Sequence, residues 1–340
     1  MNSTRWTLAI AAAVALALVS GLAAAQSAPA MVKDGVFVGA NEMTLYTFDK
    51  DTAGSGKSVC NGPCAANWPA LMAKADDKPM GDWTIVTRNV IARVEGSDPQ
   101  LKNEAVVFSA HWDHLGVGDP VNGDPIYNGA ADNATGTAMV LEMARSWAAL
   151  PQKPRRSAIF LAVTAEEAGL RGSHFYGEHP VVPAGKTAAA LNFDMFMPYG
   201  RTSDVVLTGA ERTTMYPIVQ DAAKRYGFTI KPDPRPSAGL FYRSDHFSFA
   251  RVGIPSFSID DGRDLMGKPA GTGTKFFEEF DEKRYHQPSD EYKDDWDFSG
   301  MVQYAKFGMS IGINVGNSPK LPTWNPGDEF LPARQASGVK

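Results

Sequence analysis

Three short apolar runs in this sequence stop on side chains that bind metals or carry protons, and this constrains the fold more than any other feature. Ala105–Phe108 leads into Ser109-Ala110-His111-Trp112-Asp113-His114-Leu115-Gly116. Arg156–Ala165 leads into Glu166-Glu167-Ala168-Gly169, and Ala188–Phe193 leads into Asp194. A β-type run that ends abruptly in polar residues and glycine reads as a buried strand delivering side chains at its carboxyl end. Open α/β sheets place their ligand sites there. Three strands tipped in this way predict one shared polar centre.

The segments between them carry the other half of the pattern. Asp132-Asn133-Ala134-Thr135-Gly136-Thr137 opens a run with apolar residues at Met139, Val140, Met143, Ala144, Trp147 and Leu150. That is helical spacing, and Pro151 closes it. The same reading predicts a strand over 156–165, a helix-like segment over 168–177, strands over 188–193 and 204–208, a helix over 211–226 and a strand over 254–259. A closing helix is expected near Phe298–Ile313, and Gly116–Ala131 reads as a loop. Prolines 319, 322, 326 and 332 predict an extended tail packed on the body through Trp324 and Phe330. The alternation predicts an α/β fold of three layers around a mixed, largely parallel sheet.

The amino-terminal part reads differently. Met1–Arg5 is followed by the apolar run Trp6–Ala25, which ends in Ala23-Ala24-Ala25 before Gln26. Small residues at the exit of such a run predict a cleaved signal peptide over 1–25, and hence a periplasmic or extracellular protein without stable membrane association. Residues 26–33 read as a linker and 34–88 as a small β-rich unit of short apolar pieces broken by Gly, Asp, Pro and Asn. The α/β pattern occupies 89–318 and the Pro-rich tail 319–340. Cys60 and Cys64 are the only cysteines, and in an exported chain they most simply form one local disulfide. A net charge of −5 gives no electrostatic footprint for a nucleic-acid partner.

Taken singly, each polar candidate has an ordinary explanation. His111 fits a buried hydrogen-bonded histidine, Asp132 a helix cap, Glu166 and Glu167 solvated charges, Asp194 a turn cap and His286 a surface residue. Taken together, two histidines and three carboxylates match a divalent zinc pair, with two ligands for each ion and one shared carboxylate. Adjacent glutamates diverge, so one binds metal while the other faces water as a general base. Asp113, two residues beyond His111 in an extended segment, is placed to accept the proton of its other ring nitrogen.

Six ordered motifs sharpen this reading. They are Ala110-His111-Trp112-Asp113-His114, Asn128 through Gly136, Ala165-Glu166-Glu167-Ala168-Gly169 through Ser173, Asn192-Phe193-Asp194-Met195, Ser244-Asp245-His246 with Gly253-Ile254-Pro255, and Tyr285-His286-Gln287-Pro288-Ser289-Asp290. With them, residues 89–318 resemble the co-catalytic zinc exopeptidases, the group of bacterial secreted aminopeptidases and glutamate carboxypeptidase-like enzymes. The resemblance implies two Zn2+ per chain, peptide substrates and cleavage at a chain end, aminopeptidase first; the alternatives are carboxypeptidase or dipeptidase action on the same fold, or a truncated, inactive periplasmic binding protein. It implies that Asp132 bridges the ions, with His111 and Asp194 on one and Glu167 and His286 on the other. Glu166 is then the general base, Asp113 orients His111, and Tyr242 helps stabilise the tetrahedral intermediate, a place for which Phe241 and Tyr285 compete. His114, His174, His179 and His246 read as structural or pocket-lining. Residues 34–88 resemble a secreted bacterial lipoprotein repeat of unknown function. That unit stands where the exopeptidases normally have a helix and further strands.

Overall fold

The computed structural model describes residues 88–339, together with the backbone of two short strands, β1 (Ala30–Lys33) and β2 (Val36–Gly39). These two pair antiparallel, so Ala30–Lys33, read from sequence as linker, is a strand. Residues 1–25, read as a signal peptide, and both cysteines lie outside the described residues.

The body is built on a seven-stranded sheet. Its strands are β3 (Val90–Val94), β4 (Ala105–His111), β7 (Ser157–Val163), β8 (Thr187–Phe193), β9 (Asp204–Thr208), β10 (Thr229–Lys231) and β11 (Ser256–Asp261), in the order β10-β9-β11-β8-β4-β7-β3. The central strands β7, β4, β8 and β11 run parallel, while β3 and the β9–β10 pair run against them. Strands β4 and β8 are buried at every position. A strand covered on both faces must be apolar throughout, which is why these runs do not alternate.

Two layers of helices provide that cover. Helices α1 (Thr135–Ala148), α3 (Tyr216–Tyr226) and α6 (Ser299–Asn317) pack on the face that carries Phe108, Leu191, Phe193, Phe257 and Ile259. Phe108 stacks on Phe160 at 5.2 Å and meets the edge of Trp147 from α1 at 5.4 Å. On the other face, α2 (Arg171–Glu178) and α4 (His246–Arg251) bring Tyr176 and Phe249 against Val107, Leu161 and Ala190. The fold is the expected three-layer α/β arrangement.

Local departures from the sequence reading have simple causes. The Gly116–Ala131 loop contains a hairpin, β5 (Gly116–Val121) with β6 (Asp124–Tyr127), turning on Asn122-Gly123 with both residues at positive φ. Helix α5 (Thr272–Lys283) was not foreseen, and its buried residues are only Gly273 and Phe280. The tail is not wholly extended, since Leu331–Ala336 forms α7 behind Phe330, with Pro332 in its first turn. It packs as expected, through Trp324 and Phe330 against Phe241. Strand β3 ends the sheet and is exposed on both faces, with Val90 58% accessible. No helix among the described residues is long and apolar enough to cross a membrane.

Candidate metal centre

The carboxyl ends of β4, β7 and β8 open onto one polar cluster, and the turn before α1 completes it. His111 is the last residue of β4 and is 1% exposed. Its Nδ1 lies 3.0 Å from the main-chain carbonyl oxygen of Asp113, so Nδ1 carries the proton and donates it there. This leaves Nε2 facing Asp194 Oδ1 at 3.0 Å and Asp132 Oδ1 at 3.2 Å. The other oxygen of Asp132 lies 3.3 Å from His286 Nε2, which also sits 3.1 Å from Glu167 Oε2. The five expected donors thus converge, and the two oxygens of Asp132 face different imidazoles.

Each donor is held by groups the sequence pattern did not single out. Asp194 Oδ2 accepts a 2.5 Å hydrogen bond from Ser244, whose oxygen accepts from Asn192, whose own carbonyl accepts from Ser109 on β4. The Asp132 turn is clamped from two directions. Asn133 donates to the Phe193 carbonyl and accepts from the Gly136 and Met195 amides. Asp290, wholly buried, accepts from the amides of Ala131 and Asp132 at 2.9–3.1 Å. Gly136 is required here, because a Cβ would lie 2.2 Å from the Phe193 carbonyl oxygen. Gly129, at φ +66°, leaves room for the His114 ring, which a Cβ would meet at 2.5 Å.

Asp113 does two jobs, and only one was foreseen. Its carboxylate is 3.9 Å from His111 and accepts instead from the amides of Glu166 (3.2 Å) and Glu167 (3.4 Å). His111 is oriented by the Asp113 main chain, and the side chain holds the turn that bears the two glutamates. The extended backbone from 111 to 113 brings the carbonyl closer to the ring than the carboxylate. Among the described residues, three of the five non-glycine residues with positive φ stand at this site: Ala165, Met195 and His286 itself. Unfavourable backbone of this kind survives where surrounding contacts over-determine it.

The electrostatics separate the two glutamates. Burial, reinforced by Asp194, Asp245 and Glu167 and only partly opposed by His111, holds the Glu166 carboxyl well above its ordinary range. For Glu167, burial is outweighed by His114 and His286, which draw it down to about 2. His286 loses some basicity to burial but gains more from Asp132 and Glu167, rising to about 9. Asp245, fully buried with neither oxygen hydrogen-bonded among the described residues, is pushed by burial to about 7.

Two sequence expectations change. Tyr242 does not face the donors. It is 46% exposed, its hydroxyl donates to Glu329 at 2.7 Å, and its ring packs on Phe241 and Phe247. The short helical turn Leu240–Tyr242 aims Phe241 inward and Tyr242 out. Tyr285 occupies the position by the donors, stacked on His286 with ring centroids 3.9 Å apart and lining the adjoining cavity. His114, read as structural, lies 2.7 Å from Glu167 Oε1, out of hydrogen-bond alignment. Its position next to a ligand motif was the available signal.

The donors fit a divalent metal pair. Zinc bonds of about 2.0–2.1 Å at tetrahedral angles separate neighbouring ligand atoms by roughly 3.3 Å. The four imidazole–carboxylate contacts measure 3.0–3.3 Å. His111, Asp132 and Asp194 offer ligand atoms within 4.8 Å of one another, as do His114, Asp132 and Glu167.

Comparison with known proteins gives a family match over the sheet and the cluster. The family model described as Peptidase family M28 matches residues 89–307, and that for a secreted repeat of unknown function matches 30–72. The chain is 27% identical over 263 residues to Leupeptin-inactivating enzyme 1 of Streptomyces exfoliatus, covering 74% of this chain and 54% of that protein. It is 32% identical over 111 residues to a probable zinc metalloprotease of Pyrenophora teres f. teres, covering 33% and 22%. The LapA aminopeptidase of Legionella pneumophila superposes with a TM-score of 0.50 at 18% identity, over 68% of this chain and 54% of that one. The chain therefore spans about half the length of the first curated relative it matches, and less of the second.

Proposed function

The chain belongs to peptidase family M28, and from that premise we propose that it is an exported metallopeptidase that holds two zinc ions and removes residues from the amino terminus of peptides. The observation that carries the reading is Asp132, a buried carboxylate with one oxygen toward His111 and the other toward His286. A carboxylate shared in this way suits two ions, with His111 and Asp194 completing one site and Glu167 and His286 the other. When bound, zinc supplies Lewis acidity that polarises a carbonyl and makes water nucleophilic at neutral pH.

The chain's own residues supply the rest. Glu166, buried and with its carboxyl held above the ordinary range, is the base that takes a proton from water and returns it to the leaving amine. Asp113 fixes the Glu166 amide, and so the direction of that carboxylate. Tyr285 stays protonated, because burial and the surrounding carboxylates raise its pKa, and its hydroxyl is a neutral donor for the carbonyl oxygen as charge develops. The signal-peptide reading of residues 1–25 and the secreted-repeat match support export to the periplasm or beyond. Carboxypeptidase action is the second reading, favoured by Arg243, which lines the cavity without an ion-pair partner among the described residues.

Metal analysis of the mature chain, with hydrolysis of aminoacyl-p-nitroanilides beside Glu166→Gln, tests the proposal. The expected result is two zinc ions per chain and a loss of roughly 10³-fold or more in kcat in the variant, with zinc retained. Two zinc ions without anilide hydrolysis would move the reading to carboxy-terminal or dipeptide substrates. Weak or absent zinc would remove it.

A further inference from the structure

Beside the donors lies a cavity of about 200 Å³, and one face of the sheet forms its floor. Strand β11 runs parallel to β8 with Ile259 opposite Phe193, so Asp260 follows on the strand next to the one that delivers Asp194. Strand β9 runs antiparallel on the far side, with Thr208 opposite Ser258 and Val206 opposite Asp260. Because alternate strand residues share a face, Val206, Thr208, Ser258 and Asp260 lie together, and all four line the cavity. An apolar substrate pocket would call for aliphatic residues at these positions. Here three of the four are polar.

The charges in the lining are distributed unevenly. Asp260 Oδ2 accepts from Thr208 at 2.6 Å and Oδ1 from Ser258 at 2.9 Å, and no cationic nitrogen lies within 4.0 Å of it among the described residues. The arginines are engaged elsewhere or lie at the rim. Arg235 pairs with Asp281 of α5 at 3.0 Å, Arg263 lies 3.3 Å over the Phe277 ring, where Asp261 and, less strongly, Asp260 act on its charge, and Arg243 is exposed. Asp261 also faces the cavity, and its buried Oδ1 has no hydrogen-bond partner among the described residues. The floor thus presents a hydroxyl-cradled carboxylate that makes no direct ion pair among the described residues, within one strand of the donors. A half-buried carboxylate of this kind is stabilised by a cation, and desolvation here raises the Asp260 pKa to about 6.

We infer that this cavity receives the side chain of the substrate's first residue, and that Asp260 makes it select a cationic side chain, lysine or arginine. The inference rests on the aminopeptidase reading. A substrate whose scissile bond lies at the donors extends its first side chain across the Asp194 strand end and over β11, where its ammonium or guanidinium meets Asp260 and the hydroxyls of Thr208 and Ser258.

The test compares kcat/KM for lysyl-, arginyl-, leucyl- and glutamyl-p-nitroanilide on the full zinc-loaded chain and on Asp260→Asn, which keeps the shape of the carboxylate and removes its charge. Asp260→Ser serves as a second variant if the first melts early. The expected result is a preference for the lysyl and arginyl substrates, with a lysyl-to-leucyl ratio that falls at least roughly 30-fold in the variant. An unchanged ratio, or a native preference for leucyl or glutamyl substrates, overturns the inference. If no anilide is cleaved the aminopeptidase reading fails, and calorimetry with lysinamide and leucinamide then decides the pocket separately. Tighter lysinamide binding that is lost in Asp260→Asn supports it, and equal binding refutes it.

Discussion

His111 and His286 face the same carboxylate from opposite sides, yet they are built in different ways. His111 ends a buried strand, its side chain is 1% exposed, and its ring is fixed by a carbonyl two residues on. His286 sits in a loop at φ +56°, with its side chain 36% exposed and Tyr285 stacked on it. The first is positioned by the sheet, which folds for reasons unrelated to the site. The second is positioned by contacts that exist only because the site exists. A donor supplied by the core is insensitive to its surroundings, whereas a loop donor depends on every tie that holds the loop.

Removing the two histidines breaks the comparison most directly. His111→Ala is expected to abolish tight binding of both ions and lower kcat/KM roughly 10³-fold or more, the several kcal/mol a catalytic metal contributes. His286→Ala should retain one tightly held ion and lose less activity. Metal stoichiometry after dialysis, measured with kcat/KM, distinguishes them, and equal losses would sink the distinction.

The strand-borne side has its own weakness, which is acid. His246 opens α4 fully buried, neither ring nitrogen has a hydrogen-bond partner among the described residues, and burial lowers its pKa from 6.5 to about 4. The folded chain therefore binds fewer protons than the unfolded one over this range. The stability this neutral form confers is whole above pH 6.5 and is lost as pH falls towards 4, about 3 kcal/mol in all. His246→Phe, which keeps the ring against Phe241, should flatten the melting temperature between those pH values. An unchanged slope would show that other groups set the acid limit.

Asp290→Asn should produce the smallest of these effects. The variant loses a carboxylate that accepts from two amides of the Asp132 turn, and metal affinity should weaken roughly 10- to 100-fold at the His286 side. Chelator titration reads this as one ion leaving early. Simultaneous loss of both would mean that the clamp serves the strand-borne half as well.

The same contrast explains what the sequence made legible. Strands β4, β7 and β8 are covered on both faces, so their residues form unbroken apolar runs and their polar ends stand out. His111, Glu166, Glu167 and Asp194 could be found from that pattern alone. Asp132 announced itself by preceding a helical run. His286 has no periodic context and became legible only through its motif. Tyr242 and Tyr285 both stand in aromatic stretches, and which one turns inward is decided by a three-residue helical turn that composition does not reveal. The support by Asp290, Asn133 and the Asp113 carboxylate joins residues separated by 53 to 159 positions. Contacts of that span have no local signature. Helix α5 was missed because it buries so little that its apolar period is faint.

The Asp290 clamp has a further consequence. One carboxylate fastens the loop that bears His286 to the turn that bears Asp132, so neither can drift without the other. If the loop lifts, the shared aspartate loses its anchorage in the same movement, while His111 stays held by its strand. Such a latch makes the loop and the Asp132 turn one moving part, and partial occupancy in a population would then mark molecules opened on that side alone.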